Sequence, residues 1–342
     1  MNTLTNTDLM KFRSKNLLVT GGLGFIGSNF INNLLKKNYE IRIINLDAVT
    51  YAANPENVIE KRNHLNYKFI NGNICDKKLV EEVFKEYQID GVINFAAETH
   101  VDNSIDNPEI FIKTNINGVF NLLSVSYNFW MSSPFSCKNK FKNARFHQIS
   151  TDEVYGSITK GSFDENSNYM PSSPYSASKA AADLLVKSFY TTFGLNTTIS
   201  ISSNNFGTNQ NFEKFIPKVI KCLINGEKIP VYGSGKNIRD WIYVLDNCEA
   251  IEKIYNISKN GEIYNVGSGN EYSNNEIIEK IYYLMRKHKQ TQKKVVFVKD
   301  RYGHDFRYSL SSSKIFKDLG WIPKYNFDEN LENYIIKKIN NE

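Results

Sequence analysis

Apolar and polar positions along the first two hundred or so residues switch repeatedly between two periods. Short runs rich in aliphatic and β-branched residues read as buried strands: Asn16 to Thr20, the isoleucine-rich run ending at Asn45-Leu46-Asp47, Tyr67 to Ile70, Gly91 to Phe95, Phe146 to Ile149 and Thr197 to Ser202. Between them lie longer stretches of helical period, Phe25 to Leu35, 77 to 87, 108 to 128 and 175 to 193. This alternation predicts an α/β fold on a doubly wound parallel sheet, with ligands bound beyond the carboxyl ends of the strands. After about residue 205 the pattern changes, and Gly207, Pro217, Pro230, Gly233 and Gly235 punctuate shorter segments. The expected organisation is a first domain over 1–205, to which later segments return, and a smaller C-terminal α/β domain over 206–342 that holds the substrate.

The turn after the first strand carries candidate chemistry. Gly22, Gly24 and Gly27 fit G-x-G-x-x-G between a strand and a helix, a spacing that lets backbone approach a pyrophosphate at a helix N-terminus. Asp47 closes the second strand 20 residues after Gly27, where a carboxylate would take the adenosine ribose hydroxyls. That carboxylate would repel a 2′-phosphate, so NAD is expected rather than NADP.

A second cluster falls at the ends of later strands. Ser150 and Thr151 offer hydroxyls, Asp152 and Glu153 follow at once, and Tyr175-Ser176-Ala177-Ser178-Lys179 opens a helix. Tyr175 and Lys179 share a helical face, and an ammonium beside a phenol would favour its ionised form, lowering a pKa that is ordinarily about 10. In a chain with 20 Tyr this spacing also recurs by chance, and adjacent acids are commonly solvated turn residues; the surrounding strand and helix pattern is what gives them weight. Two acids beside an oxidising site suggest proton chemistry beyond hydride transfer. His100, beside another strand end, reads either as a structural residue or as a base.

Composition narrows the classes. With 342 residues, 41% hydrophobic and 23% charged, the chain suits one large α/β domain with a smaller one appended. No apolar run is long enough to span a bilayer, and the polar start Met1 to Lys15 lacks a secretory core, so a cytoplasmic address and no membrane partner are expected. Cys75, Cys137, Cys222 and Cys248 show neither metal spacing nor disulfide density. The net charge of +6 is spread along the chain, which disfavours a nucleic-acid partner and suits an anionic, phosphate-bearing substrate. Arg239 and Arg301 could grip such phosphates or form surface ion pairs.

Taken together, GGLGFIGS (21–28), LDAVTYA (46–52), AAETHVDNSI (96–105), ISTDEVYG (149–156), PSSPYSASKAA (171–181), SNNFG (203–207), IRDWIYV (238–244) and DRYGHDFRY (300–308) resemble the extended short-chain dehydrogenase/reductase superfamily. Within it the chain is similar, from about Leu17 to Pro323, to the dTDP-glucose 4,6-dehydratase family. The resemblance implies a Rossmann-like NAD-binding domain followed by a nucleotide-sugar-binding domain, and NAD that stays tightly bound and is regenerated at each turnover. It implies catalytic roles for Thr151, Asp152, Glu153, Tyr175 and Lys179: C4 oxidation with Tyr175 as base, elimination of water across C5 and C6 by Glu153 and Asp152, and hydride return to C6. Cofactor contacts are implied for Gly21, Gly24, Phe25, Ile26, Gly27, Asp47, Thr50, Asn73, Ile74, Phe95, Ala96, Ala97, Thr114, Tyr175, Lys179 and Asn205. Substrate contacts are implied for Thr99, Thr151, Asn204, Lys214, Phe215, Pro230, Val231, Tyr232, Arg239, Asn274, Arg301, His304 and Asp305, and no metal is.

Several residues depart from the family pattern. Asn73 stands where Asp is usual, Asn103 for Arg, Phe206 and Thr208 for Tyr and Pro, and Tyr302 for Pro. Phe206 and Tyr302 are expected near the nucleotide pocket, so they bear on base preference. Alternatives within the fold are a dehydratase of UDP-glucose or an N-acetylated nucleotide sugar, and a nucleotide-sugar 4-epimerase; outside catalysis stands an NAD-binding regulator. A homodimer paired through helices 108–128 and 175–193 is the family expectation.

Overall fold

Strands whose residues are buried on both faces form the centre of the molecule. The computed structural model describes residues 12–37, 40–59 and 65–340; the polar leader up to residue 11 lies outside them. In chain order the strands are β1 (Asn16–Thr20), β2 (Arg42–Asp47), β3 (Tyr67–Asn71), β4 (Gly91–Asn94), β5 (Met131–Ser133), β6 (Ser136–Cys137), β7 (Arg145–Thr151) and β8 (Thr197–Ser202). They continue with β9 (Asn204–Phe206), β10 (Ile229–Tyr232), β11 (Ile238–Tyr243), β12 (Ile263–Val266), β13 (Glu271–Ser273) and β14 (Val295–Val298).

Seven of them make one sheet in the order β12-β8-β7-β4-β1-β2-β3, all parallel. The α/β, doubly wound expectation is what the molecule shows. The order reverses between β1 and β4, so a crevice opens beyond their carboxyl ends, where Thr20 and Asn94 are register partners. A parallel sheet needs both faces covered. Helices Phe25–Lys36 and Val244–Ile257 bury Phe30, Ile31, Leu34, Cys248 and Ile251 on one face. Helices Lys77–Tyr87, Val119–Trp130 and Pro174–Phe193 bury Phe84, Leu122, Leu123 and Val186 on the other.

The helix Pro174–Phe193 has strong sequence-encoded ends. Ser173 caps it in a capping box with Ser176, Pro174 occupies the first turn, and Gly194 terminates it at φ 69°. The expected single helix over 108–128 is instead a short helix Pro108–Phe111, a π-helical turn Ile112–Gly118 and the helix Val119–Trp130. Asn115 sits in that turn, accepting from Glu98 N at 2.9 Å and donating to Glu98 O and Ser178 Oγ at 3.0 and 2.9 Å. A residue tied to both a strand-end loop and the helix bearing Tyr175 is a tertiary reason for the widened turn, which apolar periodicity does not encode.

Residues beyond 205 divide between two places. The segment 244–266 contributes a covering helix and β12 to the main sheet. The remainder builds a second core from Ile216, Val219, Leu223, Ile229, Ile278, Ile281, Leu331 and Ile335, with the small sheets β13-β11-β9 and β10-β14. Among the described residues, no helix is long and apolar enough to cross a membrane.

Candidate active site

Two cavities open at the carboxyl edge of the sheet, of about 450 and 610 Å³. All sixteen residues expected at the cofactor line the smaller one: Gly21, Gly24, Phe25, Ile26, Gly27, Asp47, Thr50, Asn73, Ile74, Phe95, Ala96, Ala97, Thr114, Tyr175, Lys179 and Asn205. The glycine turn is shaped for close backbone approach. Gly21 has φ +67° and a Cβ there would lie 2.6 Å from Ala96 N, while a Cβ on Gly27 would lie 2.4 Å from Gly21 O. Gly22 faces the sheet instead, its N–H donating to Asn45 Oδ1 at 3.1 Å. Asp47 accepts from the N–H groups of Leu23 and Val49 at 2.9 and 2.8 Å, which hold the acid at the rim; burial raises its pKa and these two bonds oppose the rise. This glycine-lined cradle above a helix N-terminus, with an acid at the end of β2, fits a dinucleotide.

The larger cavity is lined by Thr99, Asn204, Lys214, Phe215, Pro230, Tyr232, Arg239, Asn274, Arg301, His304 and Asp305 from the expected substrate set. Val231 is a correction. Strand side chains alternate, so Pro230 and Tyr232 face the cavity while Val231 is 1% exposed in the second core. Phe206 and Tyr302 also line neither cavity. Phe206 packs on Tyr243 and Phe327, and Tyr302 projects outward, 71% exposed. His100 caps the short helix Val101–Asp106, its Nδ1 accepting from Asn103 N at 3.5 Å. Burial, then Lys214, lowers its pKa, so the neutral, capping form is the one present.

Six residues line both cavities: Thr99, Glu153, Asn204, Lys214, Phe215 and Trp241. Thr151, Asp152 and Tyr175 line the smaller cavity beside them. β7 runs straight into a single 3-10 turn, Asp152–Tyr155, capped by Thr151, and this delivers the acid pair to the junction. The pair is electrostatically unequal. Asp152 is 2% exposed, with Oδ2 lacking a hydrogen-bond partner, and burial followed by the charge of Glu153 raises its pKa well above the carboxylate range. Burial also raises Glu153, but Arg239, Lys214 and Arg301 all oppose that rise. Both acids are raised, and three cations oppose the rise at Glu153 where Arg239 alone among them opposes it at Asp152, so the protonated form is favoured more strongly at Asp152.

Tyr175 departs from the simplest expectation. Burial, then Glu153, pushes its phenol above the ordinary value, with Thr151 opposing, and Lys179 is not among the strongest influences on it. The Lys179 ammonium donates to Ile149 O at 2.6 Å and interacts with Asp183. Sharing a helical face brings the two residues together without making the ammonium the phenol's dominant neighbour.

Several basic side chains of the larger cavity are held in place. Lys214 donates to Thr99 O at 2.9 Å. Arg239 donates to the carbonyls of Ile238, Asp305 and Phe306 and lies 4.2 Å over the Tyr308 ring. Arg301 pairs with Asp102 at 3.0 Å, and Tyr232 donates to the same carboxylate at 3.1 Å. His304 Nδ1 meets Asp300 Oδ1 at 2.6 Å. Neither Asp102 nor Trp241 was singled out from sequence. Trp241 had a usable signal, since it stands two residues after Arg239 on β11 and therefore on the same face.

Comparison with known proteins sharpens the picture. The family model described as GDP-mannose 4,6 dehydratase matches residues 18–334. The dTDP-glucose 4,6-dehydratase of Xanthomonas campestris pv. campestris (strain B100) is 43% identical over 321 residues, 92% of this chain and 90% of that protein. The Haemophilus influenzae protein of the same name is 44% identical over 326 residues, covering 92% and 95%. The crystal structure of DesIV, a dTDP-glucose 4,6-dehydratase from Streptomyces venezuelae solved with NAD bound, superposes with a TM-score of 0.88 at 36% identity, covering 95% of this chain and 97% of that one.

Proposed function

Because this chain belongs to the dTDP-glucose 4,6-dehydratase family of extended short-chain dehydrogenases/reductases, we propose that it converts dTDP-glucose to dTDP-4-keto-6-deoxyglucose and water. It is an NAD-dependent hydro-lyase. The observation that carries the reading is the junction, where Asp152, Glu153 and Tyr175 meet between a cavity fitted to a dinucleotide and one lined with cations. Bound NAD would supply a hydride acceptor at C4 and a hydride donor at C6, and its cationic ring would add a positive charge that favours the phenolate.

This chain's residues handle the protons. Tyr175 accepts the proton of the C4 hydroxyl, with Thr151 opposing the rise in the phenol's pKa. The resulting ketone acidifies the C5 hydrogen, which Glu153 removes while Asp152 protonates the departing C6 hydroxyl. Glu153 afterwards returns its proton to C5. Tyr175 has then gained a proton and Asp152 has lost one. Thr151 acts on the phenol and donates to Asp152 Oδ1 at 3.3 Å, standing between the two groups whose states must be reset. Lys214, Arg239 and Arg301 offer the positive charge that a diphosphate needs. The division at about residue 205 is read as a dinucleotide-binding part, completed by 244–266, and a nucleotide-sugar-binding part.

Incubating the purified protein with NAD and dTDP-glucose should give a product lighter by one water, with a 4-keto group and a C6 methyl by NMR. UDP-glucose lacks the base methyl and carries a ribose 2′-hydroxyl besides, and should be turned over at least about 10-fold less efficiently. A product that keeps its C6 hydroxyl would establish an epimerase instead, and no turnover of any nucleoside-diphosphate-glucose would end the dehydratase reading.

A homodimer is part of the same reading. Ile112 and Phe120 on one helical segment and Leu184 and Tyr190 on another are exposed apolar side chains of the two stretches expected to pair. Sedimentation equilibrium should return twice the chain mass of 39.4 kDa, and a monomer at micromolar concentration would refute the pairing.

A further inference from the structure

The helix that presents Tyr175 and Lys179 carries another buried acid, which the mechanism does not use. Asp183 is 0% exposed and stands four residues beyond Lys179, on the same helical face. Its Oδ2 accepts from Ser150 Oγ at 2.5 Å and from the Tyr169 hydroxyl at 3.4 Å, while Oδ1 is buried without a hydrogen-bond partner. Lys179 is 5% exposed, and among the described residues its ammonium donates to Ile149 O and makes no direct salt bridge to Asp183. Consecutive residues of β7 thus hold the lysine and the acid. A carboxylate with a bare buried oxygen is costly unless a cation compensates it, and so is a buried ammonium held by one carbonyl. Lys187, Lys179 and Tyr175 face Asp183 from its own helix, and Ser150, Tyr155 and Tyr169 from the elements packed against it. The charge acting on Lys179 is that of Asp183.

We propose that Asp183 is the counter-ion of Lys179, a positioning residue that keeps the ammonium charged one helical turn from Tyr175 where solvent does not reach. The proposal rests on the dehydratase reading only for the catalytic use of Lys179 that the family resemblance implies; the coupling of the two buried charges stands or falls without turnover. Burial lowers Lys179 to about 8 and Asp183 opposes that fall, while burial raises Asp183 to about 6 and Lys179 opposes that rise. Both groups are therefore charged between about pH 6 and pH 8. Removing the negative charge makes Lys179 lose its proton at lower pH. Activity that needs the ammonium then disappears sooner as pH rises.

The test uses the full chain labelled with ¹³C in Lys and Asp, without cofactor. The Lys179 Cε resonance should titrate near pH 8 in the wild type. It should titrate about one unit lower or more in Asp183→Asn, and close to the wild-type value in Asp183→Glu. With dTDP-glucose and NAD, the basic limb of kcat/KM for Asp183→Asn should move by the same amount, a loss on the order of tenfold above pH 8 with little change near pH 6. An unchanged Lys179 titration in Asp183→Asn overturns the proposal. So does a uniform loss of activity at every pH in both variants, which marks a structural role. Should Asp183→Asn fail to fold, the wild type decides: Asp183 Cγ must show a second inflection at the pH where Lys179 titrates, and a single-step curve overturns the pairing. An inactive wild type with a shifted Lys179 titration in the variant overturns the reaction and supports the charge coupling.

Discussion

Tyr175→Phe should lower kcat for dTDP-glucose by about 100- to 10,000-fold while leaving the fold and the dinucleotide cavity intact. The substitution keeps the ring, which is buried and meets Phe111 edge-on at 6.3 Å, and deletes only the hydroxyl. Packing is preserved, so the urea midpoint should stay near the wild-type value. The affected step is the first one. Without an oxygen to take the C4 proton, the sugar cannot be oxidised, and no absorbance of reduced nicotinamide should develop during a single turnover. A variant with wild-type kcat would remove Tyr175 from the mechanism and leave the non-catalytic, NAD-binding reading in its place.

Asp152→Asn is expected to fail later in the same sequence, and by about 100- to 10,000-fold. The unequal environments of the two acids are the reason. Asp152 is pushed up first by burial and then by Glu153, which favours its protonated form, whereas Arg239, Lys214 and Arg301 oppose the rise that burial imposes on Glu153. An amide fills the same space and cannot give a proton to the leaving hydroxyl. Oxidation at C4 should therefore proceed and elimination should stall, leaving a persistent absorbance of reduced nicotinamide. Rapid mixing with dTDP-glucose reads this directly. Loss of the oxidation step to the same extent as elimination would show that Asp152 acts before the ketone forms.

Motifs carried the reading of the dinucleotide cavity furthest, because its binding groups are backbone and its signal is local. A glycine turn between a strand and a helix, with an acid at the end of the next strand, states its geometry within 27 residues, from Gly21 to Asp47. Residues of the larger cavity were legible only in part. Alternation along β10 turns Val231 into the core between Pro230 and Tyr232, and alternation along β11 puts Trp241 on the same face as Arg239. Both could be read once the strands were drawn. Asp102 could not, since its partners Tyr232 and Arg301 lie 130 and 199 residues away in the chain. Phe206 and Tyr302 stood in motifs near the nucleotide site, yet one supports the second core and the other points outward.

By itself the sequence determined the elements and their periods, the turn that receives a pyrophosphate, and the residue types the chemistry requires, because propensity, patterning and turn chemistry act over a few neighbouring residues. Tertiary structure decided the charge state of those residues. Asp152 and Glu153 are adjacent in the chain and differ because one is buried against the other while three cations, from residues 214, 239 and 301, converge on the second. Tyr175 and Lys179 share a helical face, yet the phenol answers to burial and Glu153, and the ammonium to Ile149 and Asp183. Desolvation and Coulomb interactions depend on what the fold brings near from any distance along the chain, and that information is absent from a local pattern.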